Sequence, residues 1–242
     1  MGLDTSAQFT WFGHSCWELR TPGDKIVVFD PWYANPTSPK RPDQVERCDL
    51  LLVTHGHFDH FGDALMVASR TRPAWPSIHE MSLWLGRNYA HKDAVVGMNK
   101  GGTVEAAGLK VTMVRADHSS GDLYGGAESP IYFGEPVGLI VELEDGFRVY
   151  YAGDTDVFSD MRLIAERHRP NVAFLPIGGH FTMDPVGAAQ AVELLGVEHV
   201  APMHYGTFPL LAGTPDALRA ALAERGLGHV TVHATTPGGT LG

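Results

Sequence analysis

Leu50-Leu51-Leu52-Val53-Thr54-His55-Gly56-His57-Phe58-Asp59-His60 opens as a run of branched aliphatic residues and ends in three histidines and an aspartate. A short, continuous apolar run that ends in turn-forming residues reads as a buried strand. Composition alone would produce the H-x-H-x-D-H pattern after it about 0.002 times in a chain of this length, so chance does not explain it. A plain surface turn would be served better by Gly, Asn or Ser. Imidazole and carboxylate are the donor groups that divalent metals take.

Three other apolar runs end in the same way. They are Lys110-Val111-Thr112-Met113-Val114-Arg115-Ala116-Asp117-His118, Arg148-Val149-Tyr150-Tyr151-Ala152-Gly153-Asp154-Thr155 and His199-Val200-Ala201-Pro202-Met203-His204-Tyr205. Strand exits on one edge of a sheet converge in space, and open α/β sheets place their ligand sites there. Four such exits would gather His55, His57, Asp59, His60, His118, Asp154 and His204. Seven nitrogen and oxygen donors are too many for one tetrahedral ion and suit two metals, each with an open position.

The remainder of the chain sets limits on this site. Its 242 residues are 44% hydrophobic and 19% charged, a globular balance rather than a disordered one. The formal net charge of −10 argues against broad binding to nucleic acid or to an anionic membrane, both of which need basic surface. No apolar run approaches the roughly 20 residues that cross a bilayer. The start, Met1-Gly2-Leu3-Asp4-Thr5-Ser6, lacks the basic and apolar regions of a secretion signal, so a cytoplasmic protein is expected. Two cysteines, Cys16 and Cys48, cannot build a disulfide framework and read as buried thiols. With no linker, low-complexity tract or charge block, residues 1–242 read as a single domain.

Strands are expected at Phe9–Phe12, Cys16–Arg20, Ile26–Phe29, Leu50–Val53, Leu109–Val114, Val137–Leu143, Arg148–Tyr151, Val172–Leu175, His199–Pro202 and Val230–His233. Helices are expected at Asp63–Ser69, Ile78–Arg87, Asp160–Arg167, Pro185–Leu195 and Pro215–Arg225. Asp184 and Thr214 suit N-caps before Pro185 and Pro215, and Gly146 suits a hairpin turn. The early part reads as hairpins and the later part alternates strand and helix. That order predicts an α/β (or α+β) fold with helices outside mixed sheets. Residues 119–136 show neither period, and a loop of that length is a candidate lid.

At this point the residues resemble the metallo-β-lactamase superfamily, whose signature is H-x-H-x-D-H followed by a downstream His, Asp and His. Trp11-Phe12-Gly13-His14-Ser15, Phe29-Asp30-Pro31, His118-Ser119-Ser120, Ala152-Gly153-Asp154-Thr155, Pro176-Ile177-Gly178-Gly179-His180 and Pro202-Met203-His204-Tyr205-Gly206 sharpen the likeness. Together they look like an uncharacterised family of metal-dependent hydrolases, similar in turn to the L-ascorbate-6-phosphate lactonase group. The resemblance implies a four-layer αβ/βα sandwich with metals at one edge. It also implies that His55, His57 and His118 hold a first metal, that Asp59, His60 and His204 hold a second, and that Asp154 bridges them. The main zinc class of metallo-β-lactamases carries Cys where Asp154 stands, so penicillin hydrolysis is not implied. Flavodiiron oxidoreductases carry Glu where His57 stands, which favours hydrolysis. Phe58 stands where many members have a smaller residue.

The expected chemistry is that of a binuclear hydrolase. Two divalent ions about 3.5–4 Å apart would bring a bridging water's pKa from about 15.7 to about 7, supplying hydroxide. Zinc, manganese, iron and nickel all suit these donors, which do not choose among them, and zinc is taken as the first expectation. Two divalent cations, set against Asp59, Asp154 and one hydroxide, leave a single positive charge. That balance points to a small anionic ester, lactone or phosphodiester. Asp59 is expected to orient the nucleophile. His14 and His180 are candidates for proton donation or substrate contact, and Tyr205 could offer its hydroxyl to an oxyanion. Asp30 is a candidate to orient a ligand histidine. Trp32, Tyr33, Phe61, Phe181 and Phe208 are candidates for an apolar wall. An iron-loaded oxidoreductase and a non-catalytic metal-binding module are the alternatives. A nuclease ranks low without a basic stripe, and a homo-oligomer is left open.

Overall fold

A computed structural model describes residues 2–242, so Met1, part of the start read above for a secretion signal, lies outside the described residues. Strands β1 (Gln8–Trp11), β2 (Trp17–Arg20), β3 (Ile26–Phe29) and β4 (Leu50–Leu52) come first in the chain. They are followed by helices α1 (Phe58–Phe61) and α2 (Ala64–Thr71), strand β5 (Trp75–Ile78), helix α3 (His79–Asn88), and strands β6 (Val95–Met98) and β7 (Thr103–Ala106). Next come β8 (Leu109–Arg115), β9 (Val137–Glu142), β10 (Arg148–Tyr151), α4 (Met161–His168), β11 (Val172–Pro176) and α5 (Pro185–Leu195). The chain closes with β12 (His199–Met203), α6 (Pro215–Glu224), β13 (Thr231–Val232) and β14 (Thr240–Leu241).

Two sheets form, in the orders β14-β1-β2-β3-β4 and β13-β12-β11-β10-β9-β8-β7, with β5 and β6 as a separate parallel pair. Each strand expected from sequence is present with its bounds shifted by a few residues at most, and so is each expected helix. Strands β5, β6, β7 and β14 and the single-turn helix α1 were not anticipated. The reason lies in pairing. Trp75-Pro76-Ser77-Ile78 has no alternation and carries a proline, yet all four residues are buried beside β6. Asp184 accepts from Gly187 N at 2.8 Å and Thr214 from Ala217 N at 3.1 Å, so both act as N-caps. Gly146, at φ 84°, turns β9 into β10.

Alternation along the strands builds the layers. Val27 and Phe29 of the first sheet share one apolar cluster with Leu139, Val141, Val149 and Tyr151 of the second. Phe29 stacks on Tyr151 at 4.5 Å, and Phe9 and Trp17 both meet Phe174, at 5.1 and 4.9 Å. Ile140 and Tyr150 point the other way, into a second cluster with Met161 and Ile164 of α4, Val192 of α5 and Leu218 of α6. Val28 and Leu51 are fully buried in the same cluster as Val67 and Ala68 of α2 and Met81 and Leu85 of α3. The result is the four-layer αβ/βα sandwich.

Topology also sets the site. Strands β10, β11 and β12 are parallel, and β8 lies two antiparallel steps from β10. The C-terminal ends of β8, β10 and β12 therefore emerge on one edge. Strand β4 delivers its own exit to the same place, because Val137 N donates to Thr54 O at 3.0 Å. Gly153, at φ 63°, lets the β10 exit pass Thr54, where a Cβ would lie 2.7 Å from the Thr54 side chain.

Candidate metal centre

The four exits bring the seven expected ligands together. Their donor atoms fall into overlapping groups within 4.8 Å: His55, His57 and His118; His55, His60 and Asp154; and His14, Asp59, His60 and His204. His14, read from sequence as a second-rank candidate, thus stands beside the candidate ligands, against Asp59. Within these groups His55 Nε2 lies 2.9 Å from His57 Nδ1, and His14 Nε2 lies 2.9 Å from Asp59 Oδ2. His204 Nε2 is 3.0 Å from Asp154 Oδ2, and His60 Nε2 is 3.3 Å from Asp154 Oδ1. Ligands sharing a metal at bonds of about 2.0–2.2 Å necessarily crowd to about 3 Å from one another.

The buried atoms themselves test whether a metal fits. His60 Nε2, Asp154 Oδ1 and His204 Nε2 are buried and make no hydrogen bond, the approaches to Asp154 being poorly aligned for one. Buried polar groups left unpaired are costly, by about 1–3 kcal/mol each. Three that face the same small space are satisfied together by a cation, so the residues fit.

A layer of hydrogen bonds aims these groups. Asp30, at the end of β3, accepts from Thr54 N (2.7 Å), from Thr54 Oγ1 (2.8 Å) and from His60 Nδ1 (2.8 Å). A carboxylate can only accept, so His60 carries a proton on Nδ1 and turns its Nε2 to the site. Thr54 Oγ1, having given its proton to Asp30, accepts from His55 Nδ1 at 3.0 Å and leaves His55 Nε2 bare. Asp30 therefore has the orienting place expected of it. His14 is held by Thr207 Oγ1, 3.0 Å from Nδ1, and its carbonyl accepts from His204 N at 3.0 Å. His14, Asp30 and His204 all have left-handed backbones, at φ 53°, 41° and 55°. Such conformations are strained for residues with a Cβ, and they cluster where function fixes them.

Charge follows burial and neighbours. Burial lowers His14 to about 4, His204 adding to the effect. Burial also lowers His55, His57 and His118, so this trio is neutral. Burial alone would lower His204, but the Asp154 and Asp59 carboxylates outweigh it and push the group up to about 9. His60 likewise rises well above its usual value, because Asp154, Asp30 and Asp59 overcome its burial. In return, His60 and His204 hold Asp59 and Asp154 well below the usual carboxylate range despite their burial.

The ligands floor a cavity of about 430 Å³. Its walls are Phe58, Phe181, Phe208, Leu211, Ser119 and Asp122. Phe181 and Phe208 fulfil the wall role expected of them, and Trp32 stands behind, edge-on to Phe58 at 5.4 Å. Tyr33 and Phe61 do not line it: both are fully buried, Tyr33 donating to Glu18 and Phe61 packing among Trp75, Trp84, Tyr124 and Phe133. Tyr205 is a correction. Its ring stacks on Trp11 at 5.1 Å and lines a separate cleft with Arg219 and Pro237, turned away from His204 as successive residues are. His180 is exposed, edge-on to Phe181 at 4.4 Å, and is not among the cavity's lining residues. The 119–136 loop, the candidate lid, is anchored near both ends. Ser120 accepts from Gly56 N and Asp122 from Phe58 N, both at 3.0 Å, while Phe133 is buried in the aromatic cluster. Leu211 was missed from sequence, since nothing local marks it, and Ser119 and Asp122 were read only as part of the 119–136 segment.

Sandwich, edge site and donor set define a metal-binding hydrolase of the metallo-β-lactamase fold. The profile of the beta-lactamase superfamily domain matches residues 25–205, and the chain belongs to that family. It is 46% identical over 236 residues to the UPF0173 metal-dependent hydrolase of Rubrobacter xylanophilus, covering 97% of this chain and 96% of the relative. A Myxococcus xanthus protein of the same description is 46% identical over 217 residues, covering 90% and 77%. Among solved structures, Igni18, a metallo hydrolase from Ignicoccus hospitalis, superposes with a TM-score of 0.84 at 37% identity over 97% of each chain. The protein is therefore a metal-dependent hydrolase. No helix among the described residues is long and apolar enough to cross a membrane.

Proposed function

We propose that this chain hydrolyses a small ester, lactone or phosphodiester at a centre of two divalent metals, zinc being the first candidate. His55, His57 and His118 would hold one ion, Asp59, His60 and His204 the other, with Asp154 between them. The observation that carries this reading is the set of buried, unpaired donors, His60 Nε2, Asp154 Oδ1 and His204 Nε2, aimed into one space. When bound, the ions supply Lewis acidity and a water acidic enough to act at neutral pH.

The chain's own residues do the rest. Asp30, directly for His60 and through Thr54 for His55, holds a proton on each Nδ1, so it is the Nε2 atoms that would face the metals. Asp59 stays ionised in this setting and accepts a hydrogen bond from the attacking water, fixing its direction. His14 is a positioning residue for Asp59. Its Nε2 donates to Asp59 Oδ2 while Thr207 Oγ1 holds Nδ1. The floor excludes bulk water, because His14, His55, His60, Asp154 and His204 are all buried.

Purified protein is to be stripped with chelator, reloaded with defined metals, and assayed on p-nitrophenyl esters, lactones and bis-p-nitrophenyl phosphate. Turnover that vanishes on stripping and returns with about two metals per chain supports the proposal. Two bound metals with no turnover across that panel would overturn it.

A further inference from the structure

We infer that the substrate is a neutral molecule with an apolar arm, rather than the anion expected from the ligand charges; this rests on the hydrolase reading above. Three features of the cavity carry the inference.

The first is charge. No Lys or Arg lines the cavity, whereas Asp122 does. The balance that left one positive charge counted only Asp59 and Asp154 as anions. A third carboxylate on the wall cancels that charge. Sites that grip phosphate or carboxylate supply guanidinium, ammonium or free backbone N–H groups. The two amides that border the floor here, Gly56 N and Phe58 N, already donate to Ser120 and Asp122. An incoming anion would find neither amide free and would face the Asp122 carboxylate.

The second is the apolar surface. Phe58, Phe181, Phe208 and Leu211 come from three separate segments and meet at this cavity. Phe58 is 51% exposed and Phe181 56% exposed. Tyr132 is exposed and lines the adjoining cleft with His57 and Ser119. Three of the ten exposed large hydrophobic side chains among the described residues thus line this opening or the cleft beside it. An apolar concentration of this kind on a soluble surface marks a ligand site.

The third is rigidity. Phe58 stands edge-on to Trp32, which in turn packs on Phe208 at 5.9 Å, and Phe208 lies 6.1 Å from His14. The wall is therefore built in place against the site, with few rotamers left to freeze on binding.

The test uses the metal-loaded protein and p-nitrophenyl esters of straight-chain acids from two to eight carbons. Each is paired with an ester of equal length that ends in a carboxylate. We expect kcat/KM to rise about three- to fourfold per methylene until the cavity is filled. We expect each carboxylate-ended ester to be at least tenfold poorer than its neutral partner. Phe58→Ala and Phe181→Ala should flatten the length dependence, costing the eight-carbon ester about tenfold and the two-carbon ester less. Phe58 and Phe181 are half exposed, so both variants should fold. Preference for the anionic partner, or a rate independent of length, would overturn the inference. Calorimetric binding of alkyl hydroxamic acids of rising length, with and without a terminal carboxylate, reads the same wall without turnover. If nothing is hydrolysed yet affinity climbs with chain length, the hydrolase reading fails and the apolar wall stands. If affinity is flat or favours the carboxylate, the apolar reading fails whatever the turnover.

Discussion

The two ends of the ligand set solve the same problem differently. His55, His57 and His118 form an all-imidazole end, where burial keeps the rings neutral and two of the three remain only half-buried toward the cavity. His60 and His204 form an end interleaved with Asp59 and Asp154, where carboxylates draw protons onto the rings. Without metal, the first end offers lone pairs and the second is a buried cluster of ion pairs. A buried carboxylate needs a compensating cation, and the proton and the metal compete for that role at the second end only. Asp154 touches both ends, 3.7 Å from His118 Nε2 and 3.0 Å from His204 Nε2.

The sharpest way to break the contrast is to remove the shared carboxylate. Asp154→Ala should lower metal content at both ends and cut turnover at least a thousandfold, as metal analysis beside single-substrate kinetics would read. Retention of two metals would show that Asp154 does not link the ends. Asp30→Ala comes next, since it strands Thr54 N, Thr54 Oγ1 and His60 Nδ1 in a fully buried place. Denaturant unfolding should show a loss of about 3 kcal/mol, and metal affinity should weaken about 10- to 100-fold.

Proton competition sharpens the contrast more gently. In the metal-free protein His204, raised to about 9, is charged at neutral pH. A group raised above its unfolded value stabilises fully below that value, and the stability is lost as pH climbs through the folded one. Metal-free protein should therefore lose this contribution between about pH 6.5 and 9. Over the same range metal uptake at the His204 end should tighten, by up to about tenfold per unit, as fewer protons must be displaced. Uptake at the His55 end should stay nearly flat, since its rings are already neutral. Calorimetry in two buffers of different ionisation enthalpy would count the released protons, and equal counts at the two ends would erase the distinction. The smallest effect belongs to Tyr205→Phe. Its ring lies outside the cavity, so kcat should change by less than about twofold, and a larger drop would place its hydroxyl in the chemistry after all.

Much of this could be read in advance. Asp59 and the histidines of residues 55–60 sit within one turn of chain, so their spacing alone declared them. His118, Asp154 and His204 were legible because each follows an apolar run, and the topology of an α/β sheet brings such exits together. His14 was visible only as a histidine in a glycine turn. Its rank as a neighbour of Asp59, 45 residues away, comes from a backbone bond between His204 N and His14 O that joins the two sheets' exits. Strand β7 and the β5–β6 pair escaped because four-residue segments acquire strand character from their partners.

Donor chemistry, its order along the chain and the layered fold were dictated by the amino-acid sequence, because ligand type and apolar period are local properties. What lines the cavity was decided by the tertiary structure. Asp122 reaches Phe58 across 64 residues, and Phe181, Phe208 and Leu211 meet it from two other loops. No spacing rule encodes those meetings. They arise where separately folded exits close on one another, and there a carboxylate and four apolar side chains come to stand beside the ligand positions.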